Sequence, residues 1–101
     1  MSETILRISL NELCEAEEIN QDIIIEVVEY GIAAPVVGNT VDEWAFDPTS
    51  VHWLKKAIRL SRELEIDWVA VAMVIELLKQ KEQLQQQNQN LQRQLERFLR
   101  A

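Results

Sequence analysis

Residues 23–35 read "IIIEVVEYGIAAP", and the rest of the chain is read outward from them. Ile24, Val27 and Val28 recur at the spacing of one helix face, with Ile23 beside them. Gly31 stands where a helix ends in a left-handed residue, and Pro35 closes the turn that follows. Asn20 is placed to cap the other end, so the spacing predicts a helix over residues 21–30. Its outward side carries Asp22, Glu26 and Glu29 at i, i+4 and i+7, one continuous acidic stripe flanked by Ile25. Between Ile8 and Leu54 there is no lysine or arginine at all.

Upstream, "SLNEL" opens an earlier helix. Ser9 as N-cap with Glu12 three residues on forms a capping box, in which two orphan donors are answered reciprocally. Leu10, Leu13 and Cys14 then face inward, and Glu12, Glu15 and Glu18 fall on the opposite side. Two short helices in this order have the form of a helix-turn-helix, whose second helix ordinarily lies against DNA. Downstream, "APVVGNTVDEWAFD" holds two short β-prone runs around Gly38-Asn39, which predicts a hairpin wing. Trp44 and Phe46 alternate onto one side of that wing, the side toward the core.

Asp47 and Pro48 supply an N-cap and an N1 proline for a third helix over residues 48–63. Val51, Trp53, Leu54, Ala57 and Ile58 form its apolar face. His52, Lys55, Lys56, Arg59 and Arg62 occupy the other. A fourth helix starts at Asp67 and meets no glycine or proline before the end of the chain. Its first part, "WVAVAMVIELL", is apolar nearly all round, so burial is expected there. The remainder, "KQKEQLQQQNQNLQRQLERFL", is polar except for a narrow seam. Leu77, Leu84, Leu91 and Phe98 repeat every seven residues, with Leu95 at the companion position and Asn88 polar between them. Such a repeat predicts a coiled coil and so a homodimer, with the asparagine setting register. The expected organisation is a winged helix-turn-helix over residues 1–66 and a dimerisation helix over 67–101, as one compact unit: an all-α fold with a small β wing.

Charge sharpens the expectation about partners. The 101 residues carry a net charge of −7, unevenly spread. Residues 1–54 hold eleven acids and one base, and residues 55–101 hold nine bases and six acids. The bases of the third helix fall short of the six to ten phosphate contacts of a typical DNA binder. They also sit on the wrong helix for reading a groove. One cysteine, Cys14, cannot form an internal disulfide and fits a reducing compartment. "MSETILRISL" lacks a basic region followed by an apolar stretch, and no apolar run is long enough for a membrane span. A cytoplasmic protein is expected. His52 and Cys14 are alone of their kinds, and there is no glycine-rich loop and no calcium-loop spacing. No enzyme, metal site or cofactor is therefore expected.

The order helix, helix, wing, helix, long helix resembles the MerR family of winged helix-turn-helix regulators along nearly the whole chain. The family's Gly-Leu-x-x-Pro appears as Gly31-Ile32-Ala33-Ala34-Pro35, and its wing aromatic as Phe46. Where that family carries an arginine on its second helix, this sequence has Ile25-Glu26-Val27, and the wing arginine is Trp44. Both departures remove phosphate contacts, so no direct DNA binding is expected. A narrower resemblance rests on "WAFD" (44–47), "KKAIRLSRELEIDWVAVAM" (55–73) and "LQRQLERF" (91–98), which look like the CbpM chaperone-modulator family; "LEIDW" at 64–68 is the most specific part. That resemblance implies binding to the J-domain of a DnaJ-like co-chaperone of the CbpA type and inhibition of its work with DnaK. A J-domain presents a basic helix, which a stripe of Asp22, Ile25, Glu26 and Glu29 would attract. The regulators also imply antiparallel pairing of the long helices through Leu77, Leu84, Asn88, Leu91, Leu95 and Phe98. The rival readings are a MerR-type transcriptional regulator binding DNA as a dimer, and a coiled-coil adaptor.

Overall fold

The computed structural model describes residues 6–100. Residues 1–5, part of the N-terminal stretch read above for a secretory signal, and Ala101 lie outside the described residues. A short strand β1 (Ile8–Ser9) leads into α1 (Leu10–Glu17) and α2 (Gln21–Glu29). A 3-10 turn (Val41–Glu43) and strand β2 (Ala45–Phe46) follow, then α3 (Pro48–Leu64) and the long α4 (Trp68–Arg100). This is the helix-turn-helix, wing and long terminal helix expected from the sequence.

The starts of α1, α2 and α3 are capped as the sequence indicates. Ser9 Oγ accepts the Glu12 N–H at 3.2 Å, and its hydroxyl donates to Glu12 Oε1 at 3.1 Å. The reciprocal half of the capping box thus runs through the hydroxyl. Asn20 caps α2, Asp47 caps α3 by accepting the Ser50 N–H at 2.8 Å, and Asp67 caps α4. The Ser50 N–H holds the Asp47 carboxyl below its ordinary range.

At the end of α2, the Ile32 N–H bonds the Val27 carbonyl at 3.1 Å and the Gly31 N–H bonds that of Val28 at 3.0 Å. With Gly31 at φ +72° this is a Schellman closure. The same closure ends α1, but there Glu18 occupies the left-handed position at φ 53°. Glu65 does so after α3, at φ 51°. A side chain in that conformation costs roughly 1–2 kcal/mol that glycine avoids.

The wing differs from a simple hairpin. β2 pairs antiparallel with β1, Ile8 opposite Phe46 and Ser9 opposite Ala45, while the outgoing arm of the wing, before Gly38, contributes only a bridge between Val37 and Ala45. Strand β1 carries no alternating pattern from which it could be read, being two residues long. Gly38 turns the wing at φ +114°, where a Cβ would lie 2.7 Å from both C and O of Glu43 and 2.8 Å from the Trp44 nitrogen. All three are backbone atoms and cannot move aside. At Gly31 a Cβ would meet nothing within 4 Å. Gly38→Ala is therefore expected to destabilise the domain by about 2–3 kcal/mol, against about 1 kcal/mol for Gly31→Ala. Urea unfolding of the two variants checks this, and equal losses would contradict the close approach.

The core is contiguous and drawn from all four helices, β2 and the turn after α2. Leu10 and Leu13 of α1, Ile24 and Val27 of α2, Ile32 in the turn, Phe46 of β2, Leu54 and Ala57 of α3, and Val71 and Ile75 of α4 are almost wholly enclosed. Trp53 is buried, with Trp44 and Trp68 packed half-buried against the core. Trp44 meets Phe46 edge-on at 6.4 Å, so the two aromatics do share the inward side of the wing. One expectation fails. The segment "WVAVAMVIELL" is not buried all round, because Val69, Met73 and Leu77 stand 56–65% exposed. Only one side of α4 has α3 to pack on, so its opposite side leaves the domain uncovered.

Candidate functional site

The turn after α2 is fastened from three sides. Ile32 is bonded back onto α2, the Ser50 hydroxyl of α3 donates to the Ala34 carbonyl at 3.0 Å, and Lys79 Nζ of α4 donates to the Ile32 carbonyl at 3.3 Å. The Lys79 ammonium also lies 5.5 Å from the centre of the Trp53 ring, a cation–π distance. Helix α2 is thus held by its inner face and by its end, with its outer face free.

On that outer face Asp22, Glu26 and Glu29 are exposed and Ile25 is half-buried at their side. Among the described residues none of the three acids is in an ion pair. The ion pair present, Lys55 to Glu17 at 3.1 Å, joins α3 to α1. The expected stripe therefore exists as an uncompensated negative surface in the position of a groove-reading helix. Sequence reading misses Tyr30, which is 47% exposed one residue beyond Glu29. It stands at i+4 from Glu26, so it flanks the stripe on the side opposite Ile25. An exposed aromatic beside charge is a common anchor in protein interfaces.

The bases of α3 are less available than the acids of α2. Lys55 is paired with Glu17, and Lys56 reaches within 6.0 Å of the Trp53 ring. Trp44, at the place of a wing arginine, turns into the domain rather than outward. His52 is exposed and rests edge-on against Trp53 at 4.8 Å. Burial raises the Cys14 pKa above its ordinary value, which disfavours a reactive thiolate. Among the described residues no three His, Cys, Asp or Glu side chains gather as a metal site, and no helix is long and apolar enough to cross a membrane.

The second surface is α4. All the seam residues expected from the sequence lie exposed along it: Leu77, Leu84, Leu91, Leu95 and Phe98, with Asn88 among them. The structure adds Val69 and Met73 before them and Leu99 after them. Leu77, Gln80, Lys81, Leu84, Gln85 and Asn88 line a shallow groove on this side of the helix.

The comparisons with known proteins agree with this architecture. Residues 8–93 match the family described as MerR HTH family regulatory protein. Chaperone modulatory protein CbpM of Pseudomonas entomophila is 40% identical over 99 residues, covering 97% of each chain. Its namesake from Pseudomonas putida (strain F1) is 37% identical over 100 residues, 98% of each. That from Citrobacter koseri is 30% identical over 92 residues, 91% of this chain and 90% of the other.

Proposed function

Since this chain belongs to the CbpM family of chaperone modulatory proteins, on a MerR-type helix-turn-helix fold, we propose that it modulates a chaperone system by protein binding rather than catalysis. Its partner in this reading is the J-domain of a DnaJ-like co-chaperone of the CbpA type. The outer face of α2 occupies the basic J-domain helix and so inhibits the co-chaperone's work with DnaK. The protein acts in the cytoplasm as a homodimer joined through α4, with the winged domain as the binding unit and the long helix as the dimerisation unit.

The observation that carries the reading is the exposed, unpaired stripe of Asp22, Glu26 and Glu29 on the helix that would otherwise face DNA. A surface of this sign repels phosphate and attracts a basic helix, and complementary potentials speed encounter while excluding wrong partners. Ile25 and Tyr30 border it with apolar surface that adds affinity on contact.

Calorimetry with a CbpA-type J-domain tests it. Glu26→Lys and Asp22→Lys are each expected to weaken binding by on the order of 1 kcal/mol, about fivefold, and more where the side chain becomes desolvated. A charge introduced at Gln89, on the tail, is expected to change little. Association should slow as salt rises, because exposed charges are screened over about 8–10 Å. Charge-reversed proteins that bind as tightly as the parent would move the interface to α3 and α4. Sub-micromolar binding to duplex DNA at about 50 mM salt would favour the transcription-regulator reading instead.

A further inference from the structure

Helix α2 ends without a cation of its own. Its last turn carries Glu29 and no base, although the open carbonyls at a helix C-terminus favour positive charge. No lysine or arginine stands anywhere from Ile8 to Leu54, so neither α1 nor the wing can supply one. The cation comes from α4 instead, where Lys79 Nζ donates to the Ile32 carbonyl at 3.3 Å, just past the end of α2.

Two features make this contact a clamp rather than a passing surface bond. The Trp53 ring lies 5.5 Å from the ammonium, and its attraction holds a long flexible side chain in one place. Ile32 is itself fixed: its side chain is 2% exposed, and its N–H closes α2 onto the Val27 carbonyl at 3.1 Å. Gly31 and Tyr30 are bonded back onto Val28 and Glu26 in the same closure. A pull on the Ile32 carbonyl therefore reaches Glu29 and Tyr30, at the end of the outward acidic face, through a few residues of hydrogen-bonded backbone.

The place of Lys79 along α4 gives the clamp its leverage. Lys79 stands four residues after the buried Ile75, on the side of α4 that meets the domain. Leu77 and Leu84 of the seam fall on the opposite side. From Gln80 to Arg100 every side chain is exposed, so Lys79 is the last residue of α4 that is not. The helix leaves the domain at this residue.

We propose that Lys79 is a positioning residue for partner binding: through the Ile32 carbonyl and the Trp53 ring, its ammonium sets the attitude of the end of α2, and with it Glu29 and Tyr30. This rests on the reading of the α2 outer face as the partner-binding face and adds the residue that holds that face in place. Without the clamp the end of α2 frays and the partner must re-order it, which costs affinity although Lys79 lies outside the face itself.

Lys79→Met, which keeps the unbranched stem and removes the ammonium, tests this in the full-length protein. Amide hydrogen exchange without partner is expected to quicken about tenfold at Tyr30, Gly31 and Ile32 as a charge-assisted bond is lost. Exchange at Leu13 of α1 and Leu54 of α3 is expected to stay as in the parent. Calorimetry is expected to show a CbpA-type J-domain bound about threefold more weakly. Arg93→Met, which removes an exposed cation from the same side of α4 fourteen residues on, is expected to change neither readout. Lys79→Arg, which keeps the charge and the donors, is expected to restore both. Exchange that quickens equally in every helix would make Lys79 a matter of overall stability and overturn the proposal. So would a Lys79→Met protein whose α2 end exchanges like the parent's, a loosened end with parent-like affinity, or an arginine that restores neither readout. A parent protein that binds no J-domain would remove the functional reading alone, since the exchange pattern then decides the clamp by itself.

Discussion

Replacing Leu91 by aspartate is expected to leave the winged domain folded and to abolish the two-copy assembly. In the single chain Leu91 is 63% exposed, so the carboxylate meets water and the domain's own unfolding should shift little. In a dimer the seam closes over it, and each copy would bury an unpaired charge. That penalty amounts to several kcal/mol, enough to weaken association by a factor of thousands at about 1.4 kcal/mol per tenfold. Helix content should fall as well, because an isolated helix end with a polar exterior is marginal in water. Sedimentation velocity and circular dichroism across a concentration series measure both effects, with Gln89→Asp, off the seam, as the comparison. A Leu91→Asp protein that sediments like the parent would rule out the α4 seam as the joint.

The complementary result concerns the two phenylalanines, which sequence composition treats alike. Phe46 is wholly enclosed, with Trp44 edge-on beside it and Ile8 as its strand partner. Phe98 is 77% exposed. Phe46→Ala empties a site surrounded by rigid core and is expected to lose about 3–5 kcal/mol, a large part of the roughly 5–15 kcal/mol that holds a domain together. Phe98→Ala is expected to leave domain stability almost unchanged and to weaken association instead. Denaturant unfolding read by tryptophan fluorescence, alongside sedimentation, separates the two. A loss below about 1 kcal/mol for Phe46→Ala would mean that the wing is peripheral to the core.

These contrasts mark what the sequence discloses and what it does not. The caps are legible because Ser9, Asn20 and Asp47 each precede an apolar rhythm with a side chain suited to an orphan N–H, whereas Asp67, read as the first residue of the fourth helix, is instead its cap. The end of α2 is legible from Gly31. The outward acids of α2 follow from spacing alone. Strand β1 is hidden, since Ile8 and Ser9 are too few to show alternation and their pairing with Ala45 and Phe46 depends on a fold closed elsewhere. The exposed side of early α4 is hidden for another reason. An all-round apolar segment looks the same whether its second face meets its own domain or another chain. Tyr30 escapes notice because a residue at a helix end reads as part of the cap.

The strand pair also bears on the order in which the chain assembles. Ile8 reaches Phe46 across thirty-eight positions of sequence, and Lys79 reaches Ile32 across forty-seven. By contrast α3 and α4 are joined by the short run 65–67. Closing a long loop spends chain entropy before any contact rewards it. On loop-closure entropy the short-linked α1–α2 and α3–α4 pairs are expected to form before the β1–β2 ribbon, an order that pulsed hydrogen exchange during refolding would check. Once zipped, that ribbon joins the start of the described chain to the wing, so that a late and slender event completes the seal around Phe46.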